Sequence, residues 1–454
     1  MRVGLLGAGT VGSALLDLLA AHGPELTDRL GEPLAVAAVV VRDAAKPRRL
    51  SLPEGTLVTA DAARVVDDPA ISLVVEVIGG VDPALAYVER ALRRGASVVT
   101  ANKSLVAAHA PRLFAAARAG GGDLLFEACV GAAVPVVGAM QHALSAGRVR
   151  AVAGVLNGST NFLLALLAEG VGFDEAVARA RHLGYLEADP SDDVDGHDAA
   201  RKIAILACLA GGRHVGPEAV TRRGLAGVGP GEVELAGALG ATLKLLAVAE
   251  RPPGASGPFS LWVAPALVPA HHPLAAVHGA ANAVVVAVEP GGETLLAGQG
   301  AGGPPTAQAV AGDLIAAAVR RRAGLAGPLY AWRAGDAGGA GAAPMPAYAY
   351  AFLVACDGVD ARRLERSAVG VAAVERVLPL GQGSFAVVTS MLDAAGADAV
   401  KQQIGHLPGV QAVGVPLVRW PGLGDGEGDW WRVPASRAAG LPVASPSRGG
   451  VRVG

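Results

Sequence analysis

RVGLLGAGTVGSALLDLLAA, residues 2–21, decides the fold. Residues 2–6 are an apolar run of strand length, and from residue 11 the leucines and alanines recur with helical spacing. Between them lies Gly7-Ala8-Gly9-Thr10-Val11-Gly12, the G-x-G-x-x-G pattern of a strand–turn–helix. Gly7 permits the tight turn, Gly9 lets backbone approach a pyrophosphate, Gly12 allows close helix–strand packing, and the helix N-terminus faces the phosphates. The basic start and the small residues near Ala20-Ala21-His22 also suit a secretory signal, but three glycines interrupt its apolar core and no disulfide pattern follows.

Further strand-like runs at 35–41, 73–78, 97–100 and 124–126 alternate with helical or turn-rich segments, which implies a parallel sheet and an α/β fold. The second run ends at Arg42-Asp43, beside the expected adenosine ribose. Arg42 suits a 2′-phosphate and hence NADP, whereas Asp43 suits a 2′-hydroxyl and hence NAD; both also read as ordinary strand-end charges. From about residue 150 the pattern changes to strand-like AVAGVL, a helix after Asn161, an acidic loop, another helix, and strands near 259–265, 283–288 and 294–297, an α+β unit. A glycine-rich turn at 298–306 leads into the helical run AQAVAGDLIAAAVRR. A Gly/Ala/Pro-rich stretch at 334–345 reads as a linker. Beyond it, strand 347–356, helix 363–370, a further strand near 372–379, strand 384–390, helix 395–406 and strand 410–419 suggest a small ferredoxin-like βαββαβ module. The stretch after Trp420 has no periodicity and reads as a disordered or loosely packed tail.

A chain of 454 residues exceeds one ordinary domain. Its net charge of -2, with neither clustered Lys/Arg nor interleaved aromatics, excludes a nucleic-acid surface, and no apolar run reaches the ~18–20 residues that cross a bilayer. Cys129, Cys208 and Cys356 are far apart, without disulfide or zinc spacing, which fits a reducing cytoplasm. A small-molecule partner is expected.

Residues 184–202, GYLEADPSDDVDGHDAARK, concentrate the chemistry. Asp198 and Lys202 stand four apart at the start of an apolar-periodic run, so both project from one helical face, with Glu187, Asp189, Asp192 and Asp193 in the loop before them. The same acids also suit a solvated helix cap, since Asp favours first turns. Both readings stand on these residues alone.

Taken together, the motifs resemble the homoserine dehydrogenase family: GAGTVG at 7–12, VTANKSL at 99–105, FEACVGAAVP at 126–135, LNGSTNF at 156–162, GYLEADPSDDVDGHDAARK at 184–202 and GAGGPPT at 300–306, in the family's order over about residues 2–320. The resemblance implies NAD(P)-dependent interconversion of L-aspartate 4-semialdehyde and L-homoserine, in threonine, methionine and isoleucine synthesis. It implies a Rossmann-type dinucleotide-binding domain (1–130), a catalytic and dimerisation domain (131–330), a linker (331–345), an ACT-like domain (346–420) and a tail (421–454). Lys202 becomes the expected proton donor, Asp198 its orienting partner or a substrate ligand, and Lys103 a residue of the cofactor–substrate junction. Glu187, Ser159 and Asp193 are expected at the substrate; Gly7, Gly9, Thr10, Val11, Gly12, Arg42, Lys103 and Gly302 at the coenzyme. Glu127 with the carbonyls of Val130, Ala132 and Val134 matches the family's monovalent-cation site, for sodium. A homodimer or homotetramer is expected, and no kinase unit, since the chain begins at the nucleotide strand.

Three departures stand out. Ala132-Ala133-Val134 replaces Gly-Gly-Ile, NGSTNF replaces NGTTNY, and Asp357-Gly358-Val359 stands where the ACT effector turn has Asp-x-Pro-Gly. Proline pre-sets that turn, so its loss puts threonine binding in doubt and points to a module serving assembly. Another nicotinamide-dependent reductase and a catalytically idle amino-acid sensor are the competing readings; an intact Glu187/Asp198/Lys202 set opposes the latter.

Overall fold

The computed structural model describes residues 1–46, 50–252, 255–328, 332, 341–359, 361–368, 371, 373–381 and 383–422. The opening run forms strand β1 (Arg2–Leu6), followed by β2 (Ala35–Val40), β3 (Leu57–Thr59), β4 (Leu73–Glu76), β5 (Ser97–Thr100) and β6 (Leu124–Leu125). They lie in the order β3-β2-β1-β4-β5-β6, all parallel. This is a doubly wound sheet, whose crevice opens at the carboxyl edge where the order reverses between β1 and β4. Helices cover both faces, so β4 and β5 are buried throughout and show no alternation of apolar and polar residues. β3 escaped the sequence reading because three partly exposed residues carry no usable periodicity.

The glycine loop behaves as its spacing demands. Gly7 has φ +104°, and a Cβ on Gly12 would lie 2.1 Å from the Gly7 carbonyl oxygen, so nothing larger than glycine fits between helix Thr10–Ala21 and the strand. A helix from late in the chain, Gly303–Arg322, completes this layer. Its Ala307, Val310, Leu314 and Ala317 share a core with Val3, Leu5, Leu15, Val75 and Val99. Gly303 permits the contact, since a Cβ there would meet the Thr10 carbonyl at 3.1 Å and Thr10 Cγ2 at 3.2 Å.

The second sheet uses β7 (Arg148–Val155), β8 (Thr221–Arg222), β9 (Ala241–Glu250), β10 (Ser260–Pro269), β11 (Ala281–Glu289), β12 (Gly292–Gln299), β13 (Tyr350–Cys356), β14 (Val374–Gly381), β15 (Ser384–Thr389), β16 (Val410–Val413) and β17 (Leu417–Arg419). Its order is β12-β11-β7-β9-β10-β17-β13-β15-β14, with β16 on β13 and β8 on β10. β9 was absent from the sequence reading: its Ala and Leu are good helix formers, and burial of nearly every residue removes any alternation. The helix expected after Asn161 instead starts at Gly158, because Asn157 caps it.

β13, helix Ala361–Ala368, β14, β15, helix Ala394–Gly405 and β16 form the βαββαβ unit, with strands in the antiparallel order β16-β13-β15-β14. The run at 410–419 is two strands rather than one. β17 leaves the unit's β16 and lies antiparallel to β13 but parallel to β10, pairing Val418 with Ala266 and Arg419 with Leu267. Both halves thus share a single sheet. Arg223 and Asp398 join them again through a two-bond ion pair at 2.8 Å. Most of the linker (331 and 333–340) and residues 423–454 of the tail lie outside the described residues.

Leu314 is fully buried between the late helix and the parallel sheet. Leu314→Ala should lower unfolding free energy by about 2–5 kcal/mol in a denaturant titration; a loss below about 1 kcal/mol would mean that the helix does not complete this core.

Candidate active site

Helix His197–Gly211 begins after Gly196, held at φ +78°. Asp198 is only 3% exposed and Lys202 8%, so the solvated-cap reading does not describe this pair. The Lys202 Nζ lies 2.7 Å from Asp198 Oδ2 and donates to the Leu156 carbonyl at 2.6 Å. The Lys103 Nζ approaches the other oxygen, Asp198 Oδ1, at 2.7 Å. One carboxylate therefore sits between two ammonium groups from different elements. Lys202 has three N–H donors, and two are bound to protein, which leaves one for a substrate oxygen.

Burial alone would push the Asp198 carboxyl up, but Lys202 and Lys103 outweigh it and hold the group well below the usual carboxylate range. Burial is also the largest influence on Lys202, lowering its ammonium from the ordinary value; Asp198 opposes this, and Lys103 adds to it. For Lys103, a third exposed, burial is outweighed by Asp198, and the net direction is upward. The trio holds one buried ammonium whose proton is loosened.

Lys103 opens helix Lys103–Gly120 just past β5, at the carboxyl edge of the parallel sheet. Asn102 caps that helix by accepting from the Leu105 amide at 3.1 Å, and its own backbone N–H donates to Thr100 Oγ1 at 3.0 Å. Thr100 in turn donates to buried Glu76 Oε2 at 2.6 Å, while Glu76 Oε1 accepts the Ile78 amide at 2.9 Å. Glu76, Thr100 and Asn102 thus fix both Lys103 and the loop after β4. The sequence reading passed over Glu76, whose place inside an apolar strand was the available signal.

Asp193 joins the cluster: Asn157 Nδ2 donates to Asp193 Oδ1 at 2.5 Å and to Asp198 Oδ2 at 2.9 Å. Burial raises the Asp193 carboxyl, Asn157 opposes this, and the charge of Asp198 adds to the rise. Ser159, two residues on, donates to the Tyr185 carbonyl at 2.6 Å, which ties its helix to the loop carrying Glu187. Glu187 itself is exposed, and no hydrogen bond or ion pair joins it to the cluster among the described residues. Asp189 and Asp192 belong to the exposed loop surface, Asp189 bonding the Ser191 amide and Asp192 pairing with Arg201.

At the carboxyl edge of β1, β2 and β4 a cleft of about 520 Å³ is lined by Gly7, Ala8, Gly9, Arg42, Asp82 and Tyr87, among others. Gly9 has no atom within 4 Å of where a Cβ would stand, so its backbone faces open space at the helix start, as a diphosphate cradle requires. Arg42 lines this cleft, whereas the Asp43 carboxylate accepts the Ala45 amide in its own loop. Thr10 and Val11 open the helix behind the loop, and Gly302, at φ +113°, immediately precedes Gly303 where it meets Thr10. The donors present fit a dinucleotide.

Glu127 lies beyond β6. Its carboxylate accepts the Val137 amide at 2.9 Å and the Gly138 amide at 2.6 Å, and its own N–H donates to Asp313 Oδ2 at 2.8 Å. Burial raises Glu127 and pushes Asp313 up to about 7. Ala132 holds φ +48°, left-handed backbone that glycine adopts freely and alanine does not. No group of three or more His, Cys, Asp and Glu gathers as a metal site among the described residues, here or elsewhere.

A doubly wound sheet with a glycine-loop cleft at its carboxyl edge, next to a buried lysine–carboxylate cluster, defines a nicotinamide-dinucleotide-dependent oxidoreductase. The family described as homoserine dehydrogenase matches residues 135–315, and its NAD binding domain matches residues 7–127. The homoserine dehydrogenase of Corynebacterium glutamicum is 44% identical over 319 residues, 70% of this chain and 71% of that one. That of Bacillus subtilis is 40% identical over 328 residues, 72% of this chain and 75% of that one. The crystal structure of a homoserine dehydrogenase from Thiobacillus denitrificans superposes with a TM-score of 0.83 at 33% identity, covering 92% of this chain and 98% of that one. A hyperthermophilic archaeal homoserine dehydrogenase solved in complex with NADPH superposes with a TM-score of 0.61 at 27% identity, covering 70% of this chain and 98% of that one. The chain belongs to the homoserine dehydrogenase family and is an oxidoreductase acting on homoserine.

Asp198→Ala leaves two ammonium groups facing each other and should destabilise the protein by about 3 kcal/mol near neutral pH. Because the Asp198 carboxyl titrates lower in the folded than in the unfolded chain, its stabilisation is present above the ordinary 3.8 and is lost as pH falls below it. The melting-temperature gap between wild type and variant should therefore narrow toward acid; a gap that stays constant would remove the ion pair as its cause.

Proposed function

We propose that the buried cluster runs the reversible reduction of L-aspartate 4-semialdehyde to L-homoserine with Lys202 as the acid–base group. The observation that carries this reading is the Lys202 ammonium, held by Asp198 and the Leu156 carbonyl with one N–H left over. When bound, the nicotinamide supplies a hydride to the aldehyde carbon. As negative charge develops on the aldehyde oxygen, Lys202 gives it a proton, and in homoserine oxidation the neutral amine takes that proton back. Lys103 adds positive charge at the junction of coenzyme and substrate. Asp198 orients both lysines, and Ser159, Asp193 and Glu187 would hold the amino-acid end, where a carboxylate complements an ammonium.

Arg42 in the cleft, with Asp43 turned to its own loop, favours NADP over NAD. Glu127, with the carbonyls of Val130, Ala132 and Val134, would hold sodium in a structural role: oxygen-only donors suit a hard cation, and each Glu127 oxygen carries one amide bond, which leaves a lone pair. The division into units at 1–130, 131–330 and 346–420, a homodimer or homotetramer, and a cytoplasmic setting complete the reading; no helix among the described residues is long and apolar enough to cross a membrane. The C-terminal unit is read as ACT-like on its strand order. With Val359 rather than Pro-Gly in the turn beside Gly409, it serves assembly rather than threonine sensing.

Homoserine-dependent reduction of NADP+ tests the reading directly. Lys202→Ala should lose about 10²–10⁴ in kcat. In the wild type, oxidation should rise with pH through a midpoint below the ordinary lysine value of 10.5, because burial favours the neutral amine, and reduction should fall through the same midpoint. Undiminished activity in Lys202→Ala removes the assignment. Arg42→Ala should raise the KM for NADP+ by about 10- to 100-fold, the loss of a charged hydrogen bond, and leave that for NAD+ unchanged; equal effects on both would refute the 2′-phosphate contact.

A further inference from the structure

Asn157 sits where three elements of the site meet, and it is 4% exposed. Its Oδ1 accepts the Thr160 amide at 2.8 Å and caps helix Gly158–Ala168, which carries Ser159. That bond settles the orientation of the side-chain amide: oxygen toward the helix, nitrogen away from it. The nitrogen's two N–H groups are then spent on two carboxylates, the half-buried Asp193 at Oδ1, 2.5 Å, and the buried Asp198 at Oδ2, 2.9 Å. Asp198 Oδ2 is also the oxygen that holds Lys202.

We propose that Asn157 is a positioning residue for proton transfer: its amide clamps Asp193 against Asp198, fixes the carboxylate oxygen that grips Lys202, and brings Ser159 into register with them. This rests on the reading of Lys202 as the acid–base group. Two carboxylates that close repel unless a donor stands between them. Asn157 also withdraws electron density from Asp198 Oδ2, so that this oxygen holds the Lys202 proton less tightly. The charged groups facing Lys202 are Asp198 on its own helix, Lys103 on helix Lys103–Gly120 and Asp193 on the turn Ser191–Val194. Asp192 and Arg201 pair with each other nearby. Removal of the bridging amide therefore leaves more negative charge at Lys202 and raises its affinity for a proton.

The substitutions Asn157→Ser and Asn157→Asp separate capping from bridging. Serine caps a helix about as well as asparagine but cannot bridge both carboxylates; aspartate is isosteric, keeps the cap acceptor and replaces the donor with charge. Each full-length variant is assayed for homoserine oxidation across about pH 6 to 10, for NADPH binding by fluorescence and for melting temperature. Asn157→Ser should melt within about 3 °C of wild type, bind NADPH unchanged, lose about 10- to 100-fold in kcat, and shift the midpoint of its pH profile upward by about one unit, with Asn157→Asp shifting further. Wild-type kcat and midpoint in Asn157→Ser, or lost stability with unchanged kinetics, overturns the proposal and leaves a cap alone. If the serine variant does not fold, an unshifted midpoint in Asn157→Asp overturns it, as does loss of NADPH binding in both, because a positioning role leaves the nucleotide sheet intact. Lys202→Ala, run alongside, tells the two readings apart: full activity there sinks the acid–base assignment and this proposal together, whereas an inactive Lys202→Ala beside an unaltered Asn157→Ser sinks this one alone.

Discussion

The Asp198 carboxylate, buried between two ammonium groups, is the constraint on which the site depends. A charge removed from water is tolerated only when partners and hydrogen bonds replace the lost solvation. Here they come from the helix after β5, from its own helix and from the cap of a third. One carboxylate thereby ties the edge of the nucleotide sheet to the helix that carries Lys202. The spacing between the edge of the nucleotide sheet and Lys202 is set by an ion pair rather than by a loop.

What the sequence disclosed follows the range of the interactions. The glycine loop was legible because its geometry is largely local: Gly7 holds a positive φ of +104°, and Gly12 answers to the Gly7 carbonyl five residues earlier. Asp198 and Lys202 were legible through their spacing of four on a helix. The pairing of Lys103 with Asp198 is not written in any local pattern and was absent from the sequence reading, where the family resemblance placed Lys103 only at the cofactor–substrate junction. β9 stayed hidden because burial on both faces erases alternation, and β17 because a strand that changes partners within ten residues looks like the end of β16. Asn157 stood inside a quoted motif with no role attached; an asparagine directly before a helical run is a cap signal, but nothing local shows where the rest of its amide points.

One of the three departures sits at a position of backbone stress. Ala132 occupies left-handed backbone that a glycine would hold without strain. Gly409 leaves room for Val359, since a Cβ there would stand 2.2 Å from the valine Cγ2, so the C-terminal turn is filled by an apolar side chain.

Helix Gly303–Arg322 has a consequence for the order in which the chain acquires its structure. The layer over β1 is closed by residues that leave the ribosome only after the whole intervening α+β segment has been made. Until then Val3, Leu5, Val75 and Val99 lack part of their cover, and the glycine loop lacks the neighbour that packs on Thr10. A fragment ending near residue 130 would contain every strand of the nucleotide sheet yet expose one of its apolar faces, an invitation to chaperone capture or self-association rather than to independent folding. Coenzyme affinity is in this sense a property of the nearly finished chain, and the nascent protein acquires its two substrates' sites together.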